Sequence, residues 1–188
     1  MSDERGKLLL PIARAAISSA LNIPRAADET APWLSEQGAC FATLTQRGEL
    51  RGCIGSLQAY RSLLDDVKGN AVAAALRDPR FTPLSRAELD LTEIEISLLS
   101  PTQTMDIQDE ADALLQLRPH VDGVVFEYRH YRSTYLPQVW EHFTQPHQFL
   151  ASLKNKAGLQ GNFWAEGVKL SRYTVTKWRE ADFAEGTK

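Results

Sequence analysis

Residues 5–21 place Leu9, Ile12, Ala13, Ala16, Ile17 and Ala20 at spacings of three and four, which predicts a helix with one apolar face. Pro11 is expected in its first turns, where a missing N–H does least harm, and Asn22-Ile23-Pro24 ends it. Residues 25–37 show no period and read as a connection anchored by Trp33 and Leu34. From Gly38 the period changes to two. Cys40, Ala42 and Leu44 alternate with Ala39, Phe41 and Thr43, a polar stretch at 45–49 contains Gly48, and residues 50–57 supply the second strand of a hairpin. In that strand Arg51, Cys53 and Gly55 share one face, opposite Gly52, Ile54 and Ser56. Residues 61–77 return to the helical period with a narrow face of Leu64, Val67, Ala71, Ala74 and Ala75, and Asp78-Pro79 stops them.

Ser85-Arg86-Ala87-Glu88 has capping-box spacing and opens a short helical turn. Residues 91–100 alternate, with Ile94, Ile96 and Leu98 opposite Glu93, Glu95, Ser97 and Leu99. A short helix is expected at 108–117 on Ala111, Leu114 and Leu115, then a strand at 122–128 and its hairpin partner at 133–137. A short helix at 138–143 precedes a stronger one at 146–156, with Phe149, Leu150 and Leu153 on one face and cations followed by Gly158 at its end. The last strand is expected at 168–178. Strands that arrive as hairpins, rather than alternating with helices, predict an α+β fold with a mainly antiparallel sheet flanked by helices. At 188 residues the chain fits a single domain over 1–188.

Charge and composition narrow the function classes. A net charge of −3 gives no field to attract phosphate backbones, so no nucleic acid partner is expected, although a local basic patch is compatible with it. No apolar run approaches the roughly 18–20 residues of a membrane span, so no membrane role is expected. Asp3 and Glu4 interrupt what would be the basic region of a signal peptide, so a cytoplasmic location is expected. Cys40 and Cys53 make no disulfide framework, and a cytosol keeps both reduced.

Within the hairpin, Leu50-Arg51-Gly52-Cys53-Ile54-Gly55-Ser56-Leu57 sets one thiol between two glycines, directly after an arginine. Glycine weakens a strand, so its presence here points to a bend or a close approach. This stretch resembles the LRGCIG signature of the AMMECR1 domain family. Four further blocks follow in family order: Asn70-Ala71 and Ala73-Ala74 with residues 78–84, residues 95–100, residues 134–139 around Leu136-Pro137-Gln138-Val139, and Lys156-Ala157-Gly158-Leu159. Five ordered blocks over about residues 8–178 make the resemblance specific. It implies an α+β fold with a larger and a smaller lobe and a groove between them. It also implies partners, because prokaryotic members, called AmmeMemoRadiSam system protein A, are encoded beside or fused to a Memo-like protein and a radical-SAM protein. It implies no particular reaction.

Cys53 is the candidate catalytic residue. A guanidinium nearby lowers a thiol pKa, and Arg51 shares its face. The plainer reading is a small packed residue whose flanking glycines make room for the alanine-rich helix. Candidate substrate-binding residues are Arg51, Gly52, Gly55, Asn70, Arg80, Thr134 and Tyr135. If Arg51 and Arg80 converge they form an anion pocket; otherwise each pairs with a local acid, Glu49 for Arg51 and Asp78 for Arg80. Asn70 either orients a ligand or satisfies a backbone group. None of His120, His130, His142 and His147 falls in a matched block, and His130 is the first to test as a base. No metal site is expected from the Cys and His spacings, and neither a nucleophile elbow nor a phosphate loop is present. The expected function is an accessory binding component acting with Memo-like and radical-SAM proteins through a groove around the LRGCIG strand. The alternative is an enzyme using Cys53 as nucleophile or redox-active thiol, with Arg51 and Arg80 binding an anionic small molecule.

Overall fold

The computed structural model describes residues 2–186, which fall into two units, each built on its own sheet. The first holds the chain up to Leu99 together with the segment from Thr176, and the second runs from Ser100 to Val175. The α+β class with antiparallel sheets flanked by helices is the observed one.

The first unit's sheet has the order β2-β1-β4-β9, with β3 paired to the start of β1. Its strands are β1 (Gln37–Gln46), β2 (Glu49–Gly55), β3 (Arg61–Ser62), β4 (Glu93–Leu99) and β9 (Val175–Arg179). Two helices, α1 (Ser2–Ala20) and α2 (Leu63–Leu76), complete the unit. Cys40, Ala42, Leu44, Ile94 and Ile96 are fully buried in one cluster with Leu9, Ile12, Ala13, Ile17 and Val67 from the helices. The helix α1 begins at Ser2, so Pro11 stands at mid-helix instead of in the first turns. Pro11 is exposed, and its cost is one missing backbone bond. The β1–β2 turn shortens to Arg47-Gly48, both at positive φ (51° and 81°), which matches the right-handed twist of the strands. A bulge at Leu44/Thr45 lets the polar residues Thr45 and Gln46 continue the ladder opposite Leu50 and Glu49.

The second unit's sheet has the order β5-β8-β6-β7, from β5 (Gln103–Thr104), β6 (Gly123–Tyr128), β7 (Tyr131–Tyr135) and β8 (Lys169–Tyr173). Helix α4 (Pro146–Ala157) packs on it, with Phe149, Leu150 and Leu153 fully buried. Trp140 stacks on Phe149 at 3.6 Å between centroids, and its Nε1 donates to the Asp122 carbonyl at 2.7 Å. Gly158 ends α4 at φ 97°, as the cations-then-glycine pattern expects.

Two sequence expectations change in this half of the chain. The helix α3 (Glu110–Gln116) turns Ala113 inward, followed by Leu117, and leaves Leu115 86% exposed, because its short length lets one i, i+4 pair set the buried face. The single strand expected at 168–178 is two, β8 in the second sheet and β9 in the first. At Thr174 the backbone leaves the ladder: its N–H goes to the Ser100 hydroxyl at 2.9 Å, and its carbonyl accepts the Ser100 N–H at 2.8 Å. The buried positions are Leu170 and Tyr173 before that break and Trp178 after it.

Candidate functional site

The signature residues form β2, which lies at the edge of the first unit's sheet. The alternation puts Gly52 and Ile54 toward the helices and Arg51, Cys53 and Gly55 on the opposite face, with Phe41, Thr43, Glu95 and Ser97 alongside. The two glycines answer to different neighbours. A β-carbon on Gly52 would collide with the Ala74 carbonyl oxygen of α2 and sit 3.0 Å from its carbonyl carbon. A β-carbon on Gly55 would enter the Phe41 ring, 2.6 Å from Cδ2. Thus one glycine admits a helix backbone and the other an aromatic ring, and protein atoms occupy both spaces.

Cys53 is half-buried, and its Sγ lies 3.3 Å from the Thr43 hydroxyl. The pair continues across the sheet to Glu95, which partners Thr43 and lies 4.0 Å from Lys177 and 3.9 Å from Arg179. At an edge strand the outward backbone groups need partners, and here side chains supply them. The Asp78 carboxylate accepts the Cys53 N–H at 2.9 Å, and Arg80 Nη2 donates to the Cys53 carbonyl at 3.2 Å. Arg80 is also bound to Asp78, at 3.0 Å from Nε and 2.7 Å from Nη2. The Arg80 guanidinium, with the Cys53 N–H second, holds the Asp78 carboxyl well below the usual carboxylate range.

Arg51 forms a two-point pair with Glu88, Nε at 3.1 Å and Nη2 at 3.3 Å, instead of pairing with Glu49. Its Nη1 is buried without a hydrogen-bond partner among the described residues. Glu88 also accepts the Ser85 N–H and hydroxyl at 2.8 and 2.9 Å, which is the capping box read from the sequence. The Ser85 N–H first, and Arg51 second, lower the Glu88 carboxyl to about 2. Arg51 and Arg80 do approach a common group, Phe81, with guanidinium carbons 6.0 and 5.5 Å from the ring centroid. Each carries its own carboxylate there.

Asn70 belongs to a buried polar cluster behind the strand. Its Nδ2 donates to the Cys40 carbonyl and to Asp66 at 3.0 Å each. Asp66 is fully buried and accepts from the Ser56 hydroxyl at 2.6 Å, the Cys40 N–H at 2.8 Å and Arg61 Nε at 2.9 Å. Burial, then the Asp66 charge, pushes the Cys40 thiol strongly upward, so Cys40 is an inert core residue.

Thr134 and Tyr135 lie on β7 of the second unit. The buried Thr134 hydroxyl pairs with the Tyr173 hydroxyl at 3.2 Å, and Tyr135 with Ser152 at 3.0 Å. Lys156 Nζ donates to the Thr134 carbonyl at 2.8 Å and lies 4.8 Å from the Tyr135 ring centroid. All four histidines are in this unit, with His130 in the β6–β7 turn against Tyr131. Among the described residues no three His, Cys, Asp or Glu side chains gather as a metal ion requires.

Sequence reasoning missed Asp66, Glu88 and Phe81 as partners of the signature strand. Asp66 and Asn70 left a signal, since two polar residues four apart interrupt the otherwise apolar stripe of α2. Glu88 is legible as a cap but not as the partner of an arginine 37 residues earlier.

The two-sheet α+β fold, with a glycine-flanked cysteine on an edge strand clamped by an Asp-Pro-Arg turn, defines one class of protein. The AMMECR1 family model matches residues 10–178, and the chain belongs to the AMMECR1 family. It is 34% identical over 184 residues to protein MJ0810 of Methanocaldococcus jannaschii, covering 95% of this chain and 92% of that protein. It is 35% identical over 188 residues to a protein of Methanothermobacter thermautotrophicus, covering 96% of each. The crystal structure of the uncharacterized protein PH0010 from Pyrococcus horikoshii superposes with a TM-score of 0.74 at 29% identity, covering 94% of this chain and 92% of that one. No helix among the described residues is long and apolar enough to cross a membrane.

Proposed function

We propose that this protein is an accessory binding component that engages a Memo-like protein and a radical-SAM protein through the sheet face bearing Cys53, Thr43 and Glu95. The observation that carries the reading is the engagement of both arginines. Arg51 is bound two-fold to Glu88 and Arg80 two-fold to Asp78, so each guanidinium beside the thiol already has a carboxylate. No histidine lies in the unit that holds Cys53. A cysteine nucleophile needs a base or a nearby free cation, and this neighbourhood offers a hydroxyl instead. What the clamp supplies is rigidity: Asp78 and Arg80 fix both backbone groups of Cys53 and present its face in one geometry.

The test is co-expression of the tagged chain with a Memo-like and a radical-SAM protein, followed by native purification. At least one partner is expected to remain bound, Thr43→Arg to release it, and Cys53→Ser to retain it. Loss of both partners at near-native protein levels overturns the reading. Rapid iodoacetamide labelling of Cys53 well below the ordinary thiol range, with loss of function in Cys53→Ser, would favour instead the enzyme with a nucleophilic or redox-active thiol and an anionic small-molecule substrate.

A further inference from the structure

We propose that the cleft between α1, the connection at residues 25–29 and α2 is an anion site that takes a phosphate-bearing small molecule. The cleft has a volume of about 870 Å³ and shares no lining residue with the Cys53 face, so the inference is independent of the function proposed above. Four cationic side chains line it, Arg25, Arg61, Lys68 and Arg77, against two carboxylates, Glu29 and Asp65. In a chain of net charge −3 this is a local concentration of positive charge. Both carboxylates have local duties: Glu29 pairs with Lys68 at 2.9 Å, and Asp65 accepts the Ser62 hydroxyl at 2.7 Å at the start of α2. Among the described residues neither Arg25 nor Arg77 has a carboxylate within 4.0 Å.

Arg61 makes this more than a charged surface. Its Nε donates to the fully buried Asp66 at 2.9 Å and its Nη2 to Asn70 at 3.3 Å. Asp66 is itself held by Ser56 and the Cys40 N–H, so the guanidinium is anchored from the core. It lies flat on Gly69, where a β-carbon would sit 2.8 Å from Nη1 and 2.9 Å from Nη2. A pre-positioned guanidinium loses little freedom on binding, and with Nε and Nη2 donating to Asp66 and Asn70 it is Nη1 that meets a phosphate oxygen. The remaining walls are small, Ala15 and Ala16 from α1 with Ala26 and Ala27 from the connection, which leaves the volume open to a ligand. With Asp66 counted against Arg61 and Glu29 against Lys68, Arg25 and Arg77 are, among the described residues, the two lining guanidinium groups without a carboxylate of their own, and two such charges suit a phosphomonoester, which carries about −1.5 to −2 at neutral pH.

Calorimetric titration of the full chain with inorganic pyrophosphate at constant salt tests the site, with citrate at equal ionic strength as a non-phosphate polyanion. Saturable one-to-one binding of pyrophosphate, tighter than citrate, is expected. Arg25→Gln and Arg77→Gln should each weaken it about tenfold, since each removes a charge-assisted contact from an exposed side chain with no folding role. Gly69→Ala keeps every charge but displaces the Arg61 guanidinium, and should weaken binding by about fivefold. Arg47→Gln, in the β1–β2 turn, should leave it unchanged. No saturable binding, citrate binding as tightly as pyrophosphate, or a loss in Arg47→Gln equal to that in the cleft variants overturns the proposal.

Discussion

Gly52→Ala is the sharpest perturbation of the signature strand, because the obstacle it meets is main chain. The added β-carbon would collide with the Ala74 carbonyl oxygen, and no rotamer of any side chain can relieve that. The edge strand and α2 must separate, or the strand must bend, and overpacking of this kind costs about 1–3 kcal/mol, with a backbone clash at the upper end. The unfolded chain loses about 0.4–1 kcal/mol of entropy advantage when glycine becomes alanine, which offsets part of it. The net destabilisation is about 2 kcal/mol, which for a chain of this size lowers Tm by about 4–8 °C. Gly55→Ala is the matched control. Its β-carbon meets the half-buried Phe41 ring at its Cγ end, which a swing of the side chain about χ1 can relieve without moving main chain, so Tm should fall by less than in Gly52→Ala. Differential scanning calorimetry reads the shift, and hydrogen exchange at the β2 amides assigns it to the first unit. The reasoning is refuted if Gly55→Ala is the more damaging of the two. It also fails if Ala74→Gly restores Gly52→Ala, since removing a side chain leaves the carbonyl where it was.

Two further outcomes follow from the polar partners. Asp66→Ala leaves Arg61 without its anion and the Cys40 N–H buried and unsatisfied, so urea unfolding should show a loss of about 3 kcal/mol; a loss under about 1 kcal/mol would contradict the assigned network. The Glu88 carboxyl is depressed in the folded state from 4.5 to about 2. Its contribution is therefore complete above the ordinary value and is lost as pH falls from about 4.5 toward about 2, with Asp78, also depressed, contributing in the same direction. Glu88→Gln should flatten the acid limb of a stability-against-pH curve, and an unchanged slope would remove the Arg51–Glu88 pair from the account.

Local rules determined much of the molecule from the sequence alone. The faces of β1, β2 and β4 follow from a side-chain period of two, which no tertiary contact can alter without a bulge. The capping box at Ser85–Glu88 and the left-handed glycine that ends α4 are likewise set by neighbours three or four residues away. That Arg51 and Cys53 share a face was legible for the same reason. Tertiary structure decided which charges meet. Asp78 is two residues from Arg80 and pairs with it, but Arg51 passes over Glu49, also two residues away, for Glu88, because a strand and a turn far apart in sequence pack side by side. The split of the last strand at Thr174 had the same origin, since two sheets compete for one alternating stretch and a contact with Ser100 sets the boundary. Periodicity fixes which way a side chain points, and only the folded chain fixes what it points at.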